Sequence, residues 1–266
     1  MSKKGVFAVP EKPYLLRDSH WKTIQDDNYR VVVLPWGATE AHNYHLPYGT
    51  DTIETECIAR EAARLAREKN VTVMVLPSIP FGVNAQQLDI KFTINMNPST
   101  QAMVLTDVVD SLDGHGIEKL VILNGHGGSN FRQIIRELQN QTEIFLCQVD
   151  WYLIAPEADL FDEIGDHAGE METSLMLHLA PDLVLPLDQA GEGRAKHFTV
   201  SGLNEKWAWA PRKWTEITDD TGVGNPAAAT AAKGEQYFRA VTNTIAGLLI
   251  ELEHTASDEL YRFNHE

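Results

Sequence analysis

The sequence predicts an α/β protein: a mainly parallel central sheet with helices packed on both faces. Two observations carry this expectation. Four short runs of β-branched and apolar residues each suit a strand buried on both faces, and amphipathic helical stripes separate them. Alternation of this kind closes through right-handed crossovers. With 266 residues and 43% hydrophobic content, the chain can bury a substantial core, and the expectation is a single domain over residues 1–266.

The first strand is expected over 31–35, Val-Val-Val-Leu-Pro. A helix follows over 52–68, where Ile58, Ala62, Leu65 and Ala66 form one stripe. The run 71–77 is the second strand, and Val104, Val108 and Leu112 mark a helix over 99–113. A third strand at 119–123, a helix over 130–141 and a fourth strand at 143–149 continue the pattern. The helix over 168–180 carries Met171, Leu175 and Leu179 along one side. Residues 185–225 are irregular, hold Trp207, Trp209 and Trp214, and end in a Gly-rich turn. A loop of that length in a compact fold is usually functional or an oligomer contact. Pro226 is then expected to open a C-terminal helix with Phe238, Val241, Ile245 and Leu248 or Leu249 on one face.

Composition narrows the function. A formal net charge of −16 argues against a nucleic-acid partner, which needs a basic face. The two cysteines, Cys57 and Cys147, form no Cys-x-x-Cys pair, so neither a disulfide framework nor a thiolate zinc site is expected. The first residues, MSKKGVFAVPEKPYLL, lack the apolar stretch of a secretory signal. No window approaches the roughly 20 apolar residues of a membrane helix. The expected location is the cytoplasm, with no membrane partner.

Three polar clusters could carry chemistry. The first, at 37–51, follows strand one, and ligands in open α/β sheets bind beyond the carboxyl ends of strands. Glu40 and His42 lie two apart, so an extended chain points both to one side. A carboxylate and an imidazole converging there suit zinc or manganese, and His45 and Asp51 follow within reach. Asp51 with Glu54 also has the spacing of a helix cap and capping box, and Glu40 and His42 could be solvated loop residues.

The second cluster is Asn124-Gly-His-Gly-Gly-Ser-Asn130, where glycines let the chain turn and carry His126 over the strand ends. A phosphate cradle at a helix N-terminus is the rival reading, without Walker or dinucleotide spacing. The third is Asp166-His-Ala-Gly-Glu-Met-Glu-Thr-Ser174. Glu170 and Glu172 could simply favour a helix N-terminus, while His167 lies just outside that turn, placed to act as a general acid or base.

Together these segments resemble the creatininase (creatinine amidohydrolase) family. The residues that carry the resemblance are Glu40-Ala-His42, His45-Leu-Pro47, Asp51, Asn124-Gly-His126, His167-Ala-Gly-Glu-Met-Glu-Thr-Ser174 and the Gly-rich stretch 222–234. The resemblance implies a three-layer αβα fold, assembly as a homo-oligomer, commonly a hexamer, and two divalent metal ions. Those ions would be zinc, manganese or both, with iron a further candidate. It also implies that Glu40 and His126 hold one ion, His42 the other, and that Asp51 bridges them, with His167 as proton donor. Gly128 stands where creatininase proper carries a second-metal glutamate. Glu170 is therefore expected to supply that ligand, leaving Glu172 as a supporting residue. Trp151 matches one active-site tryptophan, whereas Glu163 replaces the other.

The implied chemistry is hydrolysis of a C–N bond in a small cyclic or linear non-peptide amide by a metal-activated water. His167 would protonate the leaving nitrogen, with Asp166 orienting it, and Trp151, Gly127, Gly128 and Glu172 would line the substrate site. Three alternatives remain at this level: a deformylase-type hydrolase, a two-metal phosphoester hydrolase and an inactive metal-binding scaffold.

Overall fold

The computed structural model describes residues 14–154, 160–163 and 165–263. Most of the N-terminal segment read above for a secretory signal lies outside them. Four parallel strands form the sheet: β1 (Val31–Trp36), β2 (Val73–Val75), β3 (Lys119–Asn124) and β4 (Phe145–Asp150), in the order β2-β1-β3-β4. Five longer helices accompany them: α1 (Thr50–Glu68), α2 (Pro98–Leu112), α3 (Arg132–Leu138), α4 (Glu170–Leu179) and α5 (Ala231–His254).

Strand periodicity sorts the core into two layers. Val31, Val33, Val73, Val75, Val121 and Leu123 face one side, where Ile58, Ala62 and Ala66 of α1 and Val241, Ile245 and Leu249 of α5 cover them. Val32, Leu34, Trp36, Met74, Leu120 and Ile122 face the other, against Leu105 and Val109 of α2 and Phe131. That is a three-layer αβα arrangement, and it explains why these strands read as unbroken apolar runs instead of alternating ones.

The strand order reverses at β1, whose successor β2 lies on one side while β3 lies on the other. Register pairs Trp36 with Asn124 at the carboxyl ends of β1 and β3. The chain therefore leaves both strands at the same level and opens a crevice between them, the usual binding place in such sheets.

Several boundaries differ from expectation. The second strand shrinks to Val73–Val75. The C-terminal helix begins at Ala231, not Pro226. Pro226 instead starts a turn closed by Ala229 N–H donating to its carbonyl at 2.9 Å. Thr230, extended at φ −143°, then caps the helix by accepting from Lys233 N–H at 3.2 Å. The long 185–225 segment contains two one-turn helices, Ser201–Asn204 and Trp214–Ile217.

Candidate metal centre

Beyond β1 the chain runs through Glu40 and His42 before turning into α1, whose first turn carries Asp51. Asp51 does not cap that helix; Gly49 occupies the cap, with no side-chain hydrogen bond. Its carboxylate points to the crevice instead. Asp51 Oδ1 lies 2.7 Å from His42 Nε2, and Oδ2 lies 3.1 Å from His126 Nδ1. Glu40 Oε1 is 2.7 Å from the same His126 nitrogen. All four residues are buried.

The glycines of the second cluster act at specific contacts. A Cβ at Gly125 would meet Thr55 Oγ1, Trp151 Nε1 at 2.8 Å and the Asp51 carbonyl at 3.0 Å, so only glycine lets β3 turn this close to α1. A Cβ at Gly128 would strike His126 Nε2 and the Val83 carbonyl. Those two atoms are 3.0 Å apart in a hydrogen bond.

That bond belongs to a pattern. His126 Nε2 faces the Val83 carbonyl, His42 Nδ1 faces the Glu40 carbonyl at 3.1 Å, and His167 Nε2 faces the Ala41 carbonyl at 2.8 Å. A carbonyl only accepts, so in each ring that nitrogen carries a proton. The other nitrogen of His42 and of His126 then points at carboxylates. Metal-binding histidines are held in this way, with one N–H on a backbone carbonyl and a lone pair presented to the ion.

Three groups of donor atoms, each mutually within 4.8 Å, emerge: Glu40 with Asp51 and His126; His42 with Asp51 and Glu172; and Glu40 with His42 and His167. Asp51 belongs to the first two, turning one oxygen to each, as a bridging carboxylate would. Unmet polar atoms accompany them. Asp51 Oδ2 accepts no aligned hydrogen bond, and neither oxygen of buried Glu54 has a partner. Carboxylate and imidazole donors suit zinc or manganese, so the residues present fit divalent metal binding.

Electrostatics agree. Burial pushes His126 down, but Glu40 and Asp51 outweigh it and hold the imidazole well above its ordinary range. Burial likewise opposes the charge on His42, yet Asp51, Glu172 and Glu40 raise it to about 10. Asp51 and Glu40 are pulled down in spite of burial, Asp51 chiefly by His42 and Glu40 chiefly by His126. Glu172 is pushed up because burial exceeds the pull of His42 and His167, and Glu54 is pushed far up by burial and by Glu172 and Asp51. Without ions, protons on the imidazoles balance the buried acids; divalent cations would replace them.

Glu170 is drawn away from this centre. Its fully buried carboxylate accepts from the backbone N–H groups of Asp162 (2.8 Å) and Glu163 (2.9 Å) and pairs with Lys233. Glu172 instead faces the cluster, 3.8 Å from His42 Nε2, and also accepts from the Ala168 N–H. The expectation for Glu170 is thus corrected: the carboxylate beside His42 and Asp51 is Glu172. His45 donates to or accepts from Thr173 Oγ1 at 2.8 Å, tying the β1 loop to the helix that bears Glu172.

Two further placements differ. Trp151 is buried in the core against Tyr237, with its indole N–H on Thr55 Oγ1 at 3.0 Å, and does not reach the cleft. Asp166 does not hold His167; it pairs with Arg212 at 2.8 Å. His167 stacks on His42 with ring centroids 4.3 Å apart and meets Trp214 edge-on at 5.2 Å. Gln87 was not foreseen: its buried side-chain amide donates to Glu40 Oε2 from the single 3-10 turn Ala85–Gln87, which carries no motif.

Above the cluster opens a cleft of about 790 Å³. Glu40, His126 and His167 line it together with Gly127, Gly128, Asp166, residues 85–89 and residues 209–214.

Comparison with known proteins identifies the family and the fold. The family model for creatinine amidohydrolase (creatininase) matches residues 17–249. A crystal structure from Bacteroides fragilis, provisionally named a creatinine amidohydrolase, is 43% identical, with a TM-score of 0.88 over 94% of this chain and 99% of that one. The mycofactocin precursor peptide peptidase of Mycobacterium ulcerans is 27% identical over 78% of this chain and 79% of its own length. The creatinine amidohydrolase of Pseudomonas putida is 28% identical over 58% of this chain and 66% of its own. A manganese creatininase structure, 22% identical, shares the fold at a TM-score of 0.75, covering 91% of this chain and 99% of its own.

Proposed function

The chain belongs to the creatininase family of amidohydrolases, and from that premise we propose that it hydrolyses the C–N bond of a small cyclic or linear non-peptide amide with two divalent ions. Zinc and manganese are the ions proposed, as creatininase structures of a manganese and of a zinc–zinc type suggest. The single observation that supports this reading is the shared position of Asp51 between two donor groups whose imidazoles are pre-set by backbone carbonyls.

Glu40, Asp51 and His126 would hold one ion, and His42, Asp51 and Glu172 the other. Bound there, divalent ions supply Lewis acidity and a water acidified toward neutral pH. The chain's own residues do the rest. Val83 and Glu40 carbonyls fix the two ligand rings, and Gln87 holds one Glu40 oxygen so that the other turns to His126. Gly127 and Gly128 leave room for the amide beside His126. His167 has Nε2 tied to Ala41, so Nδ1 is the atom that would carry a proton to the leaving nitrogen.

The test pairs a screen of cyclic and linear amides, formylamino compounds and phosphate esters with a His167→Ala variant. Metal-dependent amide cleavage that falls by about 10²–10⁴-fold in the variant, at unchanged metal content, is the expected result. Unchanged turnover would remove His167 from the proton step, and cleavage of phosphate esters alone would replace the amide reading.

A second reading has its own support: peptide amides. The mycobacterial relatives are named for a precursor peptide, and the cleft exceeds what a small ring needs. Short peptides belong in the same screen. Cytoplasmic location and assembly into a homo-oligomer, a hexamer by resemblance, are part of the proposal. Among the described residues no helix is long and apolar enough to cross a membrane.

A further inference from the structure

A cleft of about 790 Å³ lies in the range that encloses a ligand of drug size. A small amide placed at Glu40 and His126 would fill only part of it, which leaves room for a larger substrate. Residues 209–214 form one stretch of its lining, and residues 85–89, with Asp89, form another. Trp209 lines it while 85% exposed, so its ring is open to whatever enters the cleft. Trp214 is buried, fixed by its indole N–H on the Thr221 carbonyl at 2.9 Å.

Arg212 lies between these tryptophans in sequence. Its guanidinium sits 4.7 Å over the Trp214 ring and gives Nη1 to Asp166 at 2.8 Å. The two restraints fix the planar fork, yet Asp166 occupies one of its five N–H donors, and the side chain stays 36% exposed. A guanidinium already held in place loses less freedom on binding, which favours two-point capture of a carboxylate. Lys213 beside it is paired with Glu216 at 2.7 Å, and Asp89 and Asp166 share the lining, so the open side of the Arg212 fork, not the net charge of the wall, is what would select a carboxylate.

We propose that Arg212 is an anion subsite, and that the amide handled in this cleft carries a carboxylate on a planar apolar body that lies along Trp209. The inference rests on the amide-hydrolase reading of the same cleft.

Calorimetry on the metal-loaded protein tests it with hippurate, which joins a ring, an amide and a carboxylate, against its neutral counterpart hippuramide. Hippurate should bind at least about tenfold tighter, and Arg212→Gln should reduce that preference to about twofold or less. Arg212→Lys, which keeps charge but not the fork, should retain an intermediate preference. Metal content and near-UV circular dichroism show that each variant is folded. Equal binding of the two probes, no measurable hippurate binding, or a preference that survives Arg212→Gln because the carboxylate binds the ions directly, would each overturn the subsite. Amide turnover is read separately. Metal-dependent hydrolysis without carboxylate preference defeats the subsite alone, whereas carboxylate preference without hydrolysis of any amide defeats the hydrolase reading.

Discussion

Replacing Gly128 by alanine probes the arrangement that presents His126 to a metal. The added Cβ would collide with His126 Nε2 and with the Val83 carbonyl, the two ends of the bond that fixes the ring. Both atoms are buried and neither is the end of a flexible chain, so the ring must turn or the bond must break. Losing such an outer-shell partner costs about 10–100-fold in metal affinity, or about 1.4–2.7 kcal/mol. Separation of the buried pair adds about 1–3 kcal/mol of lost fold stability. Competitive chelator titration reads the first quantity and urea denaturation of the metal-free protein the second. Gly127→Ala is the internal control, because a Cβ there meets nothing within 4 Å. The reasoning is refuted if Gly128→Ala binds both ions with wild-type affinity, or if Gly127→Ala weakens them equally.

Two further outcomes follow from the same geometry. Glu172→Gln should lose one ion of about two per chain, while Glu170→Gln should keep both and lose stability, since its carboxylate serves Lys233 and two backbone amides; elemental analysis and thermal unfolding separate these effects. In the metal-free protein, His42 is raised from 6.5 to about 10, so its contribution to stability is complete below pH 6.5 and is lost as pH rises toward 10. Ligation needs deprotonated nitrogens, so metal uptake near pH 7 should release protons and tighten as pH rises; calorimetry in buffers of different ionisation enthalpy measures the release, and zero release would contradict the assignment.

The sheet was legible because strands buried on both faces leave unbroken apolar runs, as at 31–35 and 119–123. The meeting of Glu40, His42 and His126 was legible because each follows a strand end on the crevice side, whereas Asp51, in the first turn of α1, read locally as a helix cap and joined the set only through the family resemblance. The choice between Glu170 and Glu172 was not legible. They lie two apart in one helical turn, nearly opposite around the axis, and Lys233 of α5 with the backbone amides of Asp162 and Glu163 decides which side faces away. Trp151 misled for a similar reason: it follows a strand end, but Thr55 and Tyr237 draw its indole inward. Arg212 lay inside a loop whose length hinted at function, yet its role depends on Asp166 and Trp214, contacts that no local pattern encodes.

The central claim is that Asp51 bridges two ions, and metal content per chain in wild type and Asp51→Ala tests it most directly. The account predicts about two divalent ions in the wild type and loss of both in the variant, with the fold retained. One ion or none in the wild type, or a content unaffected by the substitution, would contradict it and leave Asp51 as no more than a buried partner of His42 and His126.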